Sequence, residues 1–133
     1  MIHEYNLMVR EHHLDTFGHM NNATYLEIFE EARWELIGGN GYGMKEIHKT
    51  GQGPVILEVN LKFLKELKLR ENITIRTTLL GYPGKVGQLK QVIVNENKEV
   101  AAEAIFTFAL FDLRERKLIV PTEAWKRAVG MTP

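Results

Sequence analysis

The sequence has no cysteine and only four prolines in its 133 residues. The lack of cysteine excludes a disulfide framework, a thiol nucleophile and a zinc site with cysteine ligands. An excess of one charge is also missing, because 17 basic residues balance 17 acidic ones. Nucleic-acid-binding proteins usually carry a basic excess that neutralises phosphates, so we expect no nucleic-acid partner.

Long hydrophobic runs are absent as well. No apolar run approaches the roughly 20 residues that span a bilayer, so we expect no membrane insertion. Residues 1–10 lack the basic segment followed by an apolar stretch that marks a secretory signal. A composition of 44% hydrophobic and 26% charged residues is typical of a globular protein. These features predict a soluble cytoplasmic protein with a single domain over 1–133.

The clearest predicted element is a helix over 22–37. Tyr25, Phe29, Ala32 and Leu36 follow one another at spacings of four, three and four residues, which places them on one apolar stripe. Glutamates occupy the positions that face away from this stripe: Glu27, Glu30, Glu31 and Glu35. An asparagine can cap the start of this helix, and a Gly-Gly pair can end it.

Alternating apolar residues predict a sheet in most of the remaining chain. The predicted strands cover 2–10, 54–64, 73–82, 86–94 and 100–113, and two short helices cover 44–49 and 122–129. From residue 54 onward the pattern predicts four strands in hairpin succession and therefore an antiparallel sheet. One long helix on one face of such a sheet gives an α+β two-layer domain. The last strand is apolar on both faces for much of its length, so we expect its outer face to be buried in an oligomer.

Titratable and amide side chains concentrate between Arg10 and Arg33, in a polar loop that leads into the predicted helix. The first N–H groups of a helix have no backbone partner, and the helix dipole favours negative charge there. Such groups can bind a carbonyl oxygen as charge develops on it. Gly18 allows the loop to turn back toward the helix, where Asp15 could attack that carbonyl or activate a water. A second interpretation stays open, since an aspartate before a helix is often a turn or capping residue.

A longer motif runs through the same segment. It comprises Asp15, Gly18, the run His19-Met20-Asn21-Asn22, Tyr25 and the run Glu30-Glu31-Ala32-Arg33. In this register the motif resembles the signature of the 4-hydroxybenzoyl-CoA thioesterase family of hotdog proteins. The run HHLDTFGHMNNATYLEIFEEARW is especially similar to the long-chain acyl-CoA thioesterase III branch. The resemblance implies the hotdog fold, an α+β architecture in which an antiparallel sheet wraps around one long central helix.

The resemblance also implies an activity and a set of site residues. The activity is hydrolysis of medium- to long-chain fatty acyl-CoA to free acid and CoA, with no metal and no organic cofactor. Asp15 matches the catalytic carboxylate, as nucleophile or general base, and the backbone amide of Asn22 matches the donor to the thioester oxygen. The expected substrate contacts are His19, Asn21, Tyr25, Val59, Lys65 and Lys85. Family members are homodimers or homotetramers with sites between subunits, so acyl-CoA and a second copy of the chain are the expected partners.

Two positions depart from the pattern of this branch. Glu66 follows Lys65 where proline is usual, and Met20 replaces the usual valine. Lys65, after the second strand, and Lys85, in a glycine-rich turn, are the candidates for contact with CoA phosphates. The alternative for both is that they are solvated surface residues, as isolated basic side chains usually are.

Other interpretations of the same residues remain open from the sequence. His12, His13 and His19 lie near an aspartate and suggest a metal site, although their spacing matches no recognised ligand pattern. A protein of this fold could bind acyl-CoA or fatty acid without hydrolysing it, act on acyl carrier protein, or keep only a structural role. A hotdog hydratase would need a different arrangement of aspartate and histidine on the helix.

Overall fold

The computed structural model describes residues 1–131, which form six strands and three α-helices. In chain order these are β1 (Ile2–Met8), α1 (Asn22–Gly39), α2 (Met44–Thr50), β2 (Gln52–Phe63), β3 (Asn72–Gly81), β4 (Val86–Val94), β5 (Val100–Asp112), β6 (Lys117–Ile119) and α3 (Glu123–Ala128). A short 3-10 turn, Glu11–His13, follows β1. The sequence predicted neither this turn nor β6, because three-residue elements carry too little periodicity. None of the helices in residues 1–131 is long and apolar enough to cross a bilayer.

The predicted apolar stripe of α1 is confirmed. Its four apolar residues are all buried, and the four glutamates that face away from them are exposed. The helix begins at the predicted residue because the Asn21 side chain accepts a hydrogen bond from the Ala23 N–H at 2.9 Å. It continues beyond the predicted end, through Gly39.

The strands pair in the order β1-β3-β4-β5-β2, and β6 pairs with β5 beyond the end of β4. The predicted hairpins β3–β4 and β4–β5 are confirmed. The prediction that β2 continues into a hairpin with β3 is wrong, because β2 pairs with β5, from Gln52 opposite Asp112 to Phe63 opposite Ala102. Alternation of apolar residues determines which face of a strand is buried, but not which strand lies beside it. In the described chain β2 is therefore an edge strand.

The main core lies between α1 and one face of the sheet. Phe29 of the helix packs edge-to-face on Phe106 of β5, with ring centroids 5.7 Å apart. Ala102 and Ala104 of β5 are fully buried, and their small side chains let the helix approach the sheet closely. Burial of one phenylalanine side chain stabilises the fold by roughly 1.5–3 kcal/mol. The predicted two-layer α+β architecture is thus confirmed.

A buried polar network also joins α1 to the sheet. Gln91 of β4 is fully buried and donates from Nε2 to the Phe29 carbonyl at 3.0 Å and to the Thr77 hydroxyl at 2.9 Å. Its Oε1 accepts a hydrogen bond from Arg33 Nη1 at 2.9 Å, and the guanidinium carbon lies 4.2 Å from the Phe106 ring centroid. Burial lowers the pKa of Arg33 to about 10. These contacts fix the rotation of α1 about its own axis, because any other orientation of the helix would leave buried polar groups unpaired.

The outer face of β5 is more polar than the sequence predicted. Glu103 forms an ion pair with Lys90 of β4 at 3.0 Å, and Thr107 accepts a hydrogen bond from Gln88 at 3.3 Å. This polarity arises because β4 supplies polar partners that the pattern of one strand cannot reveal. That an oligomer buries this face stays a prediction. Exposed large apolar residues instead concentrate on β2 and just after it: Ile56, Leu57, Val59, Phe63 and Leu64.

Candidate active site

Asp15 lies in a tight turn. Its backbone N–H donates to the His19 carbonyl at 2.8 Å, and its carbonyl accepts from the Gly18 N–H at 3.2 Å. Gly18 has a φ of 82°, in the left-handed region that glycine adopts most easily. The side-chain Oδ1 accepts hydrogen bonds from the N–H groups of Phe17 at 2.8 Å and His19 at 3.3 Å. These bonds orient the carboxylate and leave its Oδ2 without a hydrogen-bond partner in the described part of the chain.

This turn is attached to the segment that joins β2 to β3. The Met20 N–H donates to the Leu67 carbonyl at 3.0 Å, and His19 forms a β-bridge with Lys68. His19 Nε2 lies 3.1 Å from Glu66 Oε2. The two segments and the start of α1 border an open cleft of about 480 Å³. Its lining residues are Asp15, His19, Met20, Asn22, Tyr25, Phe63, Leu64, Lys65 and Glu66.

The start of α1 presents an unpaired backbone donor to this cleft. Asn21 caps the helix, so the N–H groups of Ala23 and Thr24 both have acceptors on Asn21. The N–H of Asn22 donates to no group in residues 1–131. Asn22 and Asp15 both line the cleft, which therefore combines a carboxylate with a free helix-end N–H. Such a pair is suited to cleavage of a carbonyl compound, because the N–H can stabilise the charge that develops on the oxygen.

Apolar side chains lie beside these polar groups. Tyr25 of α1 is 4% exposed and packs edge-to-face against Phe63 of β2, with ring centroids 4.9 Å apart. Burial raises the pKa of Tyr25, so its hydroxyl stays protonated at neutral pH. Phe63 and Leu64 are each 53% exposed. An apolar surface next to a carboxylate is suited to binding a hydrophobic acyl group.

The remaining predicted contacts are divided between this cleft and other surfaces. Lys65 lines the cleft, but its Nζ lies 2.9 Å from a carboxylate oxygen of Glu99, and this hydrogen bond lowers the pKa of Glu99. Val59 lies on β2 opposite Phe106, and Lys85 lies in the turn between β3 and β4. Neither of these two lines the cleft within one chain.

The histidines before Asp15 support the loop. The rings of His12 and His13 contact each other at a tilt of 52°, with centroids 4.2 Å apart, and His13 Nδ1 accepts a hydrogen bond from the Arg10 N–H at 2.9 Å. Burial, and then the neighbouring His12, lower the pKa of His13. The His13 carbonyl accepts the Asn21 N–H at 2.9 Å, which ties the loop to the helix start. In residues 1–131 no three histidine, aspartate or glutamate side chains converge as a metal-binding group.

Four residues that line the cleft were not among the predicted contacts: Met20, Phe63, Leu64 and Glu66. Met20 belonged to the motif around Asp15, but no substrate contact was predicted for it. Phe63 and Leu64 carried a weak signal, because the apolar alternation of β2 runs to its end. Glu66 differed from the expected proline, which drew attention to the position without suggesting a contact with His19. Phe63, Leu64 and Glu66 come near α1 only because β2 pairs with β5, and a sequence pattern does not reveal that pairing.

Comparison with known proteins identifies the family. The sequence profile of the thioesterase-like superfamily matches residues 9–129. The chain belongs to this superfamily. It is a thioester hydrolase with the hotdog fold, and the family, fold and enzyme class predicted from the motif around Asp15 are confirmed.

Individual relatives agree with this membership. The enzyme is 36% identical to the long-chain acyl-CoA thioesterase FadM of Escherichia coli over 115 residues. This alignment covers 85% of this chain and 86% of that one. It is 31% identical to the chloroplastic acyl-acyl carrier protein thioesterase ATL2 of Arabidopsis thaliana, over 90% of this chain and 64% of that one. The crystal structure of the probable thioesterase YbaW from Escherichia coli superposes with a TM-score of 0.84 at 30% identity, over 96% of both chains. A hypothetical protein from Staphylococcus aureus, solved with CoA, shares the fold, with a TM-score of 0.91 at 19% identity over 97% of this chain and 82% of that one.

Proposed function

We propose that the enzyme hydrolyses fatty acyl-CoA to free acid and CoA, with Asp15 as its catalytic carboxylate. The observation that carries this proposal is the Asp15 side chain, oriented by two backbone N–H groups in a cleft that also contains the unpaired N–H of Asn22. The 36% sequence identity to an acyl-CoA thioesterase over most of both chains supports the same reaction.

In this mechanism the thioester oxygen accepts a hydrogen bond from the Asn22 N–H. The start of α1 then stabilises the negative charge that develops on the oxygen. Asp15 attacks the carbonyl carbon, or takes a proton from a water that attacks it. On either route the carbon–sulfur bond breaks and the CoA thiolate leaves. Asn21 caps the start of α1 and so keeps the Asn22 N–H in position, while His19 and Tyr25 contact the substrate.

The proposed substrate carries a medium or long acyl chain. Tyr25 and Phe63 line the cleft where α1 meets the end of β2, and a second, apolar cavity between α1 and β2 includes Trp34 and Ile56 in its lining. From Phe63 to Ile56 the strand extends about 23 Å, at roughly 3.3 Å per residue. A hydrophobic surface of that length is suited to a long chain rather than to an acetyl group.

The active assembly in this proposal is a homodimer joined along β2. Leu57, Val59 and Phe63 are exposed on this strand, which among the described strands pairs only with β5. An exposed apolar edge strand is a template for a further strand, and two-fold dimers are the commonest symmetric assemblies. The outer face of the sheet carries ion pairs such as Lys90–Glu103, so it offers less surface for the second interface of a tetramer.

Two-fold pairing would also give Val59 and Lys85 a place in the site. Antiparallel pairing of two identical strands sets the Phe63 end of one beside the Pro54 end of the other. Val59 lies near the middle of β2 and would contact the partner subunit. Lys85 lies toward the Pro54 end of the sheet, so the partner's Lys85 would approach the cleft and, with Lys65, bind CoA phosphates.

Thiol release from a panel of short, long and aromatic acyl-CoAs tests the proposed reaction. Asp15→Asn preserves the size of the side chain and removes its charge and basicity. We expect kcat to fall by roughly 10²–10⁴-fold at an unchanged melting temperature. The control is Glu35→Gln, an exposed carboxylate on α1 outside the cleft, which should keep wild-type activity. A folded Asp15→Asn enzyme with full activity would contradict the proposal, and the panel assigns the chain length.

Sedimentation of the wild type and Val59→Asp tests the proposed dimer. A charge on the exposed edge should convert the dimer to monomer and lower activity, because the site loses its partner. Gln88→Asp, on the outer face of the sheet, is the control and should remain dimeric. A monomeric wild type, or a Val59→Asp protein that dimerises normally, would remove this part of the proposal.

Acyl carrier protein is a second candidate carrier. Similarity to an acyl-acyl carrier protein thioesterase over 90% of this chain supports it. The reacting thioester is the same in both cases, so kcat/KM for the same acyl group on the two carriers decides between them. If kcat/KM is higher for the acyl group on the carrier protein, the proposed substrate becomes acyl-acyl carrier protein instead of acyl-CoA.

A further inference from the structure

A contact between His19 and Glu66 crosses the rim of the cleft. His19 Nε2 lies 3.1 Å from Glu66 Oε2, and the two side chains come from segments far apart in the sequence. The backbone fixes both segments, because Met20 N–H donates to the Leu67 carbonyl at 3.0 Å and His19 bridges to Lys68. The backbone that carries the two side chains is therefore held in place on both sides of the contact.

This contact determines which nitrogen of His19 carries the proton. A carboxylate accepts hydrogen bonds, so Nε2 is the protonated nitrogen in the neutral ring and Nδ1 keeps its lone pair. In residues 1–131 no group forms a hydrogen bond with His19 Nδ1. The side chain is 39% exposed, so a proton taken up by Nδ1 can pass on to solvent. An imidazole with one nitrogen held by a carboxylate and the other free is a proton acceptor of the kind used in hydrolases.

The other titratable groups around His19 are less suited to accept a proton from water. Those that line the cleft or pair with its backbone are Asp15, Tyr25, Lys65, Glu66 and Lys68. Tyr25 has a raised pKa and stays protonated. Glu66 already contacts His19 through its carboxylate, and Lys65 forms an ion pair with Glu99. Asp15 is consumed if it acts as nucleophile, because its carboxylate is then acylated.

We propose that His19, held by the positioning residue Glu66, is the base that activates the hydrolytic water. This step rests on the proposed function and takes Asp15 as the nucleophile. An Asp15 oxygen attacks the thioester carbon, the carbon–sulfur bond breaks and the CoA thiolate leaves, which makes an acyl–Asp15 anhydride. Water then attacks the acyl carbon and gives one proton to His19 Nδ1. The bond from that carbon to the Asp15 oxygen breaks, the acid leaves, and the proton passes from His19 to the thiolate or to solvent.

Rapid mixing of enzyme with dodecanoyl-CoA, followed by thiol release and intact-protein mass, tests this assignment. His19→Ala should still acylate Asp15 and then stall. We expect a burst of about one thiol per site, a protein heavier by one dodecanoyl group, and a steady-state rate roughly 10²–10⁴-fold below wild type. Glu66→Ala should give the same burst with a loss of roughly 10–100-fold, as when a carboxylate that orients a functional imidazole is removed. Adding Glu66→Ala to His19→Ala should cause no further loss, since Glu66 acts through His19.

Two further variants separate this role from a structural one. Glu66→Gln keeps an oxygen that can accept a hydrogen bond from the Nε2–H of His19, so it should recover most of the wild-type rate. Glu103→Ala breaks an ion pair of comparable exposure on the outer face of the sheet and should leave both rates unchanged. Should His19→Ala fail to fold, Glu66→Ala carries the same test, because the Glu66 side chain is 61% exposed.

Three outcomes would overturn the assignment. A His19→Ala enzyme that turns over at the wild-type rate, or one that loses the thiol burst together with turnover, removes His19 as the base for the second step. Equal rates for Glu66→Ala and wild type remove the positioning role of Glu66. In each of these cases the wild type remains active and dependent on Asp15. A wild type that releases no thiol from any acyl-CoA instead overturns the proposed function itself, and this assignment with it.

Discussion

The two ends of α1 meet the rest of the molecule differently. At its N-terminal end Asn22 is exposed, Phe63 is 53% exposed and the cleft is open. At its C-terminal end Leu36 is 5% exposed and packs in one cluster with Trp125 of α3, which is 1% exposed. The N-terminal end of a helix presents unpaired N–H donors, which can serve an anionic intermediate if they remain accessible. The site therefore occupies the end of α1 where the core is left open, whereas the closed end contributes stability.

Aromatic packing closes the C-terminal end. Trp125 Nε1 donates to the Tyr82 hydroxyl at 3.0 Å, and its ring packs edge-to-face on Tyr42 and Phe108 at centroid distances of 5.2 and 6.1 Å. Edge-to-face pairs add to the stabilisation that burial of the rings already provides. No residue of this cluster lines the cleft around Asp15. Changes here should therefore lower stability, and any effect on turnover should be limited to long acyl chains, because Phe108 and Trp125 line the second, apolar cavity.

Trp125→Ala should cause the largest loss of stability. Removal of a fully buried tryptophan side chain should lower the free energy of unfolding by roughly 3–5 kcal/mol. Trp125→Phe retains a ring and should cost less. Urea denaturation measures both values. At a temperature where each variant is folded, kcat for the shortest acyl-CoA that the enzyme turns over should match wild type, because a short chain does not reach the cavity that Trp125 lines. A folded Trp125→Ala enzyme with reduced kcat on that short substrate would contradict the difference between the two ends, since the closed end would then influence the site around Asp15.

Two helix caps, one at each end, separate an effect on stability from an effect on catalysis. Asn21 caps α1 at the open end by accepting the Ala23 N–H at 2.9 Å, and Thr122 caps α3 at the closed end by accepting the Trp125 N–H at 3.2 Å. Each change to alanine should lower the free energy of unfolding by about 1 kcal/mol. Only Asn21→Ala should also reduce kcat, because the cap shapes the helix end that presents Asn22. Equal activity of the two variants would contradict a role of that helix end in catalysis.

The smallest expected effect is a pH dependence of stability at the open end. Burial lowers the pKa of His13 in the folded protein, so the unfolded chain takes up this proton first as pH falls. Stability should therefore decline as pH drops below the ordinary histidine value of about 6.5. In His13→Gln the decline between pH 7 and pH 5 should be shallower. The control, His48→Gln at an exposed position on α2, should keep the wild-type slope.

Elements with strong local signals could be predicted from the sequence. The stripe of α1 repeats over four helical positions, and β3, β4 and β5 are joined by short turns, so neighbours in sequence are neighbours in space. The pairing of β2 with β5 could not be predicted, because the two strands are separated by β3 and β4. The polar outer face of β5 was missed for a related reason. Its polarity comes from pairs such as Glu103 with Lys90, which depend on the register of two strands.

The residues of the candidate site also fall into two groups, those that a local motif predicts and those that only the fold brings to the cleft. Asp15, Gly18 and Asn22 lie within one turn and the helix that follows it, so a local motif brings them together. Glu66 and Phe63 reach the same cleft from the end of β2 and the segment after it. The sequence marks Glu66 as unusual, but only the fold places it against His19.

Residues close together in the chain are enough to predict the helix, the turn at Asp15, the unpaired N–H at the start of α1 and the superfamily. The identity of the edge strand, the other residues that line the cleft with Asp15 and the carboxylate that contacts His19 all depend on the fold. These depend on the pairing of β2 with β5 and on the packing of α1 against the sheet. Long-range pairing is selected by the total burial and hydrogen bonding of the whole chain, which no local pattern contains.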